Sequence, residues 1–150
     1  MPLMPPAIRS ATLDDVPMIL IIEQQAASAA HWPAEEYERL VKTGVVLVAE
    51  QAGQFRGFVC AKAVVGEWEI ENVVVATEFL CQGIANQLMQ ALIEQAEKRA
   101  ASRILLEVRE SNLPARRLYE KYAFREVGRR RKYYRNPVED AVLYARRSRI

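Results

Sequence analysis

The chain has 150 residues, 51% of them hydrophobic and 27% charged, which suits one globular domain over residues 1–150 and excludes a disordered tail protein. No apolar run approaches the ~20 residues of a membrane span, and the start Met-Pro-Leu-Met-Pro-Pro lacks the basic segment of a signal peptide. The net charge of +2 hides an asymmetry: residues 116–150 hold twelve basic residues against four acids, a charge of +8, which leaves −6 for the first 115.

A basic C-terminal third beside an acidic remainder suits a polyanionic partner, either RNA or the phosphates of a nucleotide cofactor, and is equally what solvated strand and helix faces would give. Cys60 and Cys81 form neither a CxxC pair nor a disulfide framework, which points to the cytoplasm. With His31 as the sole histidine, no metal site is expected. No membrane association is expected either.

In chain order, residues 7–11 read as a short strand. Thr12 followed by Asp15 has capping spacing for a helix that continues through Val16, Ile19, Leu20 and Glu23 to about Ala27. Pro33 suits the first turn of a second helix with Tyr37, Leu40 and Val41 as its apolar stripe. Residues 45–51 and 55–65 form a hairpin about Ala52-Gly53-Gln54, and after Gly66 a third strand covers 68–75. Gly83 opens a long helix through Ile84, Leu88, Ala91, Leu92 and Ala96. Residues 104–108 are a strand, Pro114 starts another helix through Leu118 and Tyr122, and strands begin at Phe124 and Ala141. The order β-α-α-β-β-β-α-β-α-β-β predicts an α/β domain with helices covering the faces of one sheet.

Three places stand out for chemistry. The first is the junction from Val73-Val74-Val75 to Gln82-Gly83-Ile84-Ala85-Asn86, a strand that feeds a helix start. Unpaired amides and the positive end of the helix dipole make such a start an anion site, most naturally for phosphate. Neither GxxxxGK[ST] nor GxGxxG is present. The second is Glu107, a carboxylate inside the apolar run Leu105-Leu106-Glu107-Val108. It is either an ion pair, for instance with Arg103 or Arg109, or a general base whose proton affinity burial has raised. The third is the helix after it, where Tyr119 is a core tyrosine or a proton donor, and Asn112 is by default a turn or cap residue.

Residues 104–124, with Leu106-Glu-Val-Arg-Glu-Ser-Asn112 followed by Leu118-Tyr-Glu120 and Phe124, resemble the second half of the GNAT acetyltransferase fold. Within that family they are similar to the ribosomal-protein alanine N-acetyltransferases, the RimI type. Upstream, Asn72-Val-Val-Val-Ala-Thr77 and Gln82-Gly-Ile-Ala85 resemble the family's acetyl-CoA motif; downstream, Arg130-Arg-Lys-Tyr-Tyr134 and Glu139-Asp-Ala141 resemble its R-x-x-Y-Y and E-D-A patterns. The likeness extends to Asp15 and Ile22-Glu23 in the first helix. Leu80 and Cys81 stand where Gln or Arg is usual, Asn86 where Arg is frequent, and His31-Trp32-Pro33 where the family tends to P-W-[ST]. These departures imply weaker cofactor affinity and a shifted peptide preference.

The resemblance implies a GNAT fold with a mixed, mostly antiparallel sheet and helices on both faces. It implies acetyl-CoA as cosubstrate, with no metal. Val73, Val74, Val75, Cys81, Gln82, Gly83, Ile84, Ala85, Asn86 and Asn112 would bind it, a backbone N–H of Val73–Val75 would polarise the thioester, and Asn112 would hold the pantetheine chain. Glu107 would be the general base and Tyr119 the acid for the leaving thiolate. The acceptor would be the N-terminal α-amine of alanine or serine on a protein such as a ribosomal protein; a lysine side chain or a small-molecule amine is the alternative. Direct nucleic-acid binding through the basic third, without catalysis, is the third reading and is not favoured, because both proton-handling residues stand at the family spacing.

Overall fold

The computed structural model describes residues 5–26 and 29–148. Its strands are β1 (Ala7–Ser10), β2 (Val45–Gln51), β3 (Gln54–Val64), β4 (Glu67–Val75), β5 (Arg103–Arg109), β6 (Arg125–Tyr134) and β7 (Glu139–Arg147). Its helices are α1 (Val16–Gln25), α2 (Ala34–Thr43), α3 (Ile84–Lys98) and α4 (Leu113–Lys121). All seven strands join one sheet in the order β1-β2-β3-β4-β5-β7-β6. Every neighbouring pair is antiparallel except β4 and β5, whose parallel crossover is α3.

Strand alternation explains why helices cover both faces. On β2, Val45, Leu47 and Ala49 join the core under α3, while Val46 and Val48 join a second core under α1 and α2. Helix α3 meets its side of the sheet with Ile84, Leu88, Met89, Leu92, Ile93 and Ala96, an apolar stripe at helical spacing. Helices α1 and α2 cover the other face with Val16, Ile19, Ile22, Tyr37 and Leu40. Among the described residues, no helix is long and apolar enough to cross a membrane.

Most boundaries differ from the sequence expectation by one or two residues: β3 covers Gln54–Val64 rather than 55–65, β5 Arg103–Arg109 rather than 104–108, and β6 and β7 begin at Arg125 and Glu139 rather than Phe124 and Ala141. The N-terminal elements differ in kind as well. The first strand stops at Ser10. Leu13–Asp15 form a separate 3₁₀ turn, in which Asp15 Oδ2 accepts the Thr12 N–H at 2.8 Å, and the α-helix starts at Val16. That helix closes at Gln25, and Ala27 lies outside the described residues.

The relation of β4 to β5 prepares the site. Their ladder covers only Glu67–Glu69 against Arg103–Leu105, and beyond it the strands part. A bulge on β4 changes its facing at the same level: Cys60 pairs with Asn72 and Ala61 with Ile70, leaving Glu71 as the extra residue. Trp68 and Ile70 therefore pack under α3, while Val74 packs under α1 and α2.

Candidate active site

Where β4 and β5 part, a cavity of about 590 Å³ opens, lined from β4 by residues 70–75 and from β5 by residues 106–109. Other parts of its wall come from Leu80, Ala85 and Asn86 around the start of α3, from Asn112 just before α4, from Ala115 and Tyr119 on α4, and from Tyr134. His31 closes the side nearest α1 and α2. Since the β4 ladder to β5 ends at Glu69, the backbone of Val73–Val75 is paired, among the described residues, on its β3 side only. Its remaining edge faces the cavity.

Glu107 lies in this wall with its side chain 26% exposed. Its ion-pair partner differs from those expected: Arg103 pairs with Glu67 and Arg109 with Glu139, while Arg130 Nε donates to Glu107 Oε1 at 2.8 Å. The reason is strand order, because β7 lies between β5 and β6 and lets the Arg130 side chain reach across it.

Tyr119 is 8% exposed, and its ring packs on Phe124 and Tyr144 at centroid distances of 5.9 and 6.2 Å. Burial pushes its phenol above the ordinary tyrosine value, with a smaller push from Tyr134. It therefore keeps its proton throughout the neutral range. Asn112 caps α4, its Oδ1 accepting the Ala115 N–H at 3.3 Å, and it lines the cavity as well.

The helix-start residues divide. Gly83 is left-handed with φ +81°, and the first α3 hydrogen bond runs from the Gln87 N–H to the Gly83 carbonyl at 3.1 Å. The amides of Ile84, Ala85 and Asn86 thus begin the helix without intrahelical acceptors. Ala85 and Asn86 line the cavity, whereas Cys81, Gln82, Gly83 and Ile84 do not. Ile84 buries its side chain in the core, leaving its backbone as the part a ligand can use. A Cβ on Gly83 would meet nothing within 4 Å, so its glycine answers the left-handed backbone rather than crowding. These free amides and the positive end of the α3 dipole suit an anionic group such as a phosphate, at one end of a cavity with an open strand edge.

The missing arginine at Asn86 has a counterpart that spacing along the chain did not reveal. Lys121 Nζ donates to Asn86 Oδ1 at 2.8 Å, and the Tyr122 hydroxyl donates to the Asn86 carbonyl at 3.1 Å. A cation from the end of α4 thereby sits at the first turn of α3.

Sequence reasoning also missed a buried polar cluster on the α1 and α2 side of the cavity. Glu23, 1% exposed, accepts from the Tyr37 hydroxyl, from the Trp32 N–H at 3.2 Å, and faces His31 Nδ1 at 3.0 Å. Asn72 Nδ2 donates to the Ala30 carbonyl at 2.8 Å and to the Tyr37 hydroxyl at 3.2 Å. A carboxylate straight after Ile21-Ile22 was the available signal. Among the described residues no group of three or more His, Cys, Asp or Glu side chains is arranged to hold a metal ion.

The sequence model of the acetyltransferase (GNAT) family matches residues 14–124. A ribosomal protein bS18-alanine N-acetyltransferase of Escherichia coli K12 is 32% identical over 145 residues, covering 92% of this chain and 95% of that protein. The crystal structure of the ribosomal-protein-S18-alanine N-acetyltransferase from Escherichia coli superposes with a TM-score of 0.85 at 32% identity, over 93% of this chain and 92% of that one. A GNAT acetyltransferase from Elizabethkingia anophelis, solved with acetyl-CoA bound, shares the fold at a TM-score of 0.76 and 20% identity, over 95% of this chain and 98% of that one.

Proposed function

This chain belongs to the GNAT family and is an acetyl-CoA-dependent N-acetyltransferase, and from that premise we propose that it acetylates the N-terminal α-amine of a protein. Alanine or serine is the acceptor residue, and a ribosomal protein is the leading candidate, as in the Escherichia coli relative. The reaction belongs to the cytoplasm.

Acetyl-CoA supplies an activated thioester, and the chain's own groups do the rest. The Ile84–Asn86 amides and Lys121 bind the diphosphate end, and Asn112 holds the pantetheine arm. A backbone N–H of Val73–Val75 donates to the thioester oxygen as negative charge develops there. An α-amine has a reference pKa of about 7.7–8.0, so much of it is protonated at neutral pH. Glu107 accepts a proton from it, directly or through one water, and Tyr119 gives a proton to the departing thiolate. No covalent enzyme intermediate is required, so Cys81 has no part in the chemistry.

The observation that carries this reading is the convergence of Glu107, Tyr119, Asn112 and the open edge of Val73–Val75 on one cavity. Mass spectrometry after incubation with acetyl-CoA and peptides beginning Ala or Ser tests it. Acetyl on the α-amine supports the reading. Acetyl confined to lysine side chains or to free small amines overturns the acceptor and leaves the family intact.

A further inference from the structure

Conversion of an ammonium to an amide strips two protons from the nitrogen. One can return to the thiolate through Tyr119, and the other must leave for solvent. Glu107 accounts for one acceptor. The cavity wall holds a second group built for the task, and it belongs to the polar cluster under α1 and α2.

Buried Glu23 faces His31 Nδ1 at 3.0 Å, while its other oxygen accepts from the Tyr37 hydroxyl and the Trp32 N–H. Burial, with the Glu23 hydrogen bond behind it, raises the Tyr37 phenol well above its ordinary value, so Tyr37 stays a donor to Glu23. With Glu23 accepting on every side, the ring proton of a neutral His31 sits on Nδ1 and Nε2 is left as the basic nitrogen. Among the described residues nothing hydrogen-bonds Nε2. His31 lines the cavity, and its side chain is 56% exposed, which gives a received proton a way out to water. A buried carboxylate that orients a histidine beside a reacting group is a recurrent catalytic arrangement.

We propose that His31, oriented by Glu23, is a second catalytic base that takes one of the two protons lost by the acceptor nitrogen. The acceptor N–H bond breaks, the proton joins His31 Nε2, and the imidazolium formed is held by the Glu23 carboxylate on Nδ1. The proton then passes from the exposed ring to solvent, which restores the neutral imidazole. Glu107 takes the other proton, which in the completed cycle replaces the one Tyr119 gives to the thiolate, and Glu23 acts as a positioning residue that never meets the acceptor. Tyr37 and Asn72 fix the carboxylate and the backbone at Ala30, so the dyad is anchored to α2 and to β4. This assignment rests on the amine acetylation proposed above but is indifferent to which amine is used.

The test is chemical rescue of His31→Ala with added imidazole, on whichever amine the wild-type enzyme acetylates best. The variant should lose about 10²-fold in kcat/KM for the acceptor, at the lower end of general-base effects. The KM for acetyl-CoA should not move, and imidazole should restore a large part of the loss in the variant while leaving the wild type unchanged. Glu23→Gln, checked for folding by circular dichroism, should lower the same parameter, and imidazole should not restore it because His31 still fills the site. Unchanged turnover in His31→Ala, or a loss that imidazole leaves untouched, overturns the role of His31. A wild type that ignores peptide N-termini removes the protein acceptor, and the rescue experiment on its preferred amine still decides the role of His31.

Discussion

Arg130 and Glu107 are joined by a 2.8 Å hydrogen bond that spans the strand between them. Arg130 is paired in register with Ala141 on β7, and Glu107 with Leu143 on the same strand, so the bond runs diagonally over β7. The β6–β7 hairpin is thereby tied to the carboxylate that faces the cavity.

Glu107→Gln keeps the size of the side chain and a carbonyl oxygen for Arg130 but removes proton acceptance. Turnover should fall by about 10²–10⁴-fold, or about 3–5.5 kcal/mol of barrier, with little change in the KM for acetyl-CoA. Raising the pH should recover part of the loss, because more of the acceptor amine is then already neutral. Steady-state rates across pH check this.

Tyr119→Phe retains the ring that packs on Phe124 and Tyr144, so it should fold with nearly wild-type stability and still bind acetyl-CoA. Its turnover should fall, and higher pH should recover less than for Glu107→Gln because the missing group is an acid. Since burial raises the phenol above the usual ~10, wild-type turnover should show no alkaline loss from Tyr119 as pH rises towards that value. Tyr119→Ala, by contrast, should cost about 3–5 kcal/mol in urea unfolding through the cavity it leaves.

Asp15→Asn should destabilise the entry to α1. Asp15, with a side chain 12% exposed, accepts two hydrogen bonds from Arg9 at 2.8 Å and one from the Thr12 N–H. The Arg9 bonds hold its carboxyl below the ordinary aspartate value. Its stabilisation is therefore fully present above the unfolded-state value near 3.8 and is lost as pH falls through the lower folded-state value. Allowing for an Arg9 side chain that is 36% exposed, the substitution should cost about 1–2 kcal/mol at neutral pH. The difference should shrink in acid. Urea titrations at neutral pH and near pH ~3 compare the two proteins.

Two glycines should respond differently to alanine. A Cβ on Gly57 would sit 2.7 Å from the Val74 carbonyl and 3.2 Å from Val75 Cα, against the strand that borders the cavity. Gly57→Ala should cost about 1–3 kcal/mol and also lower turnover. Gly83→Ala meets no atom and should cost only about 1 kcal/mol for its left-handed backbone. Gly83→Glu adds a negative charge beside the α3 amides, so its acetyl-CoA affinity by isothermal titration should fall well below that of Gly83→Ala.

The element order is readable from the chain alone, because apolar spacing on α3 and β2 and the turn residues at Ala52-Gly53 are local signals. The sequence also singled out Glu107, since a carboxylate in an otherwise apolar strand has few explanations, and its spacing to Asn112 and Tyr119 carried the family resemblance. What those residues face is set by the folding of distant segments against one another. The pairing of β4 with β5 ends at Glu69, the bulge leaves Glu71 without a partner in the β3 ladder, and the cavity opens where the two strands part. Neither feature leaves a mark in hydrophobic periodicity, since each depends on how distant strands fit. The same holds for Arg130 at Glu107, Lys121 at Asn86 and His31 at Glu23, pairs separated by 23, 35 and 8 residues. Their partners were chosen by strand order and helix packing, because a charged or polar group finds whichever counterpart the folded chain brings within hydrogen-bond reach.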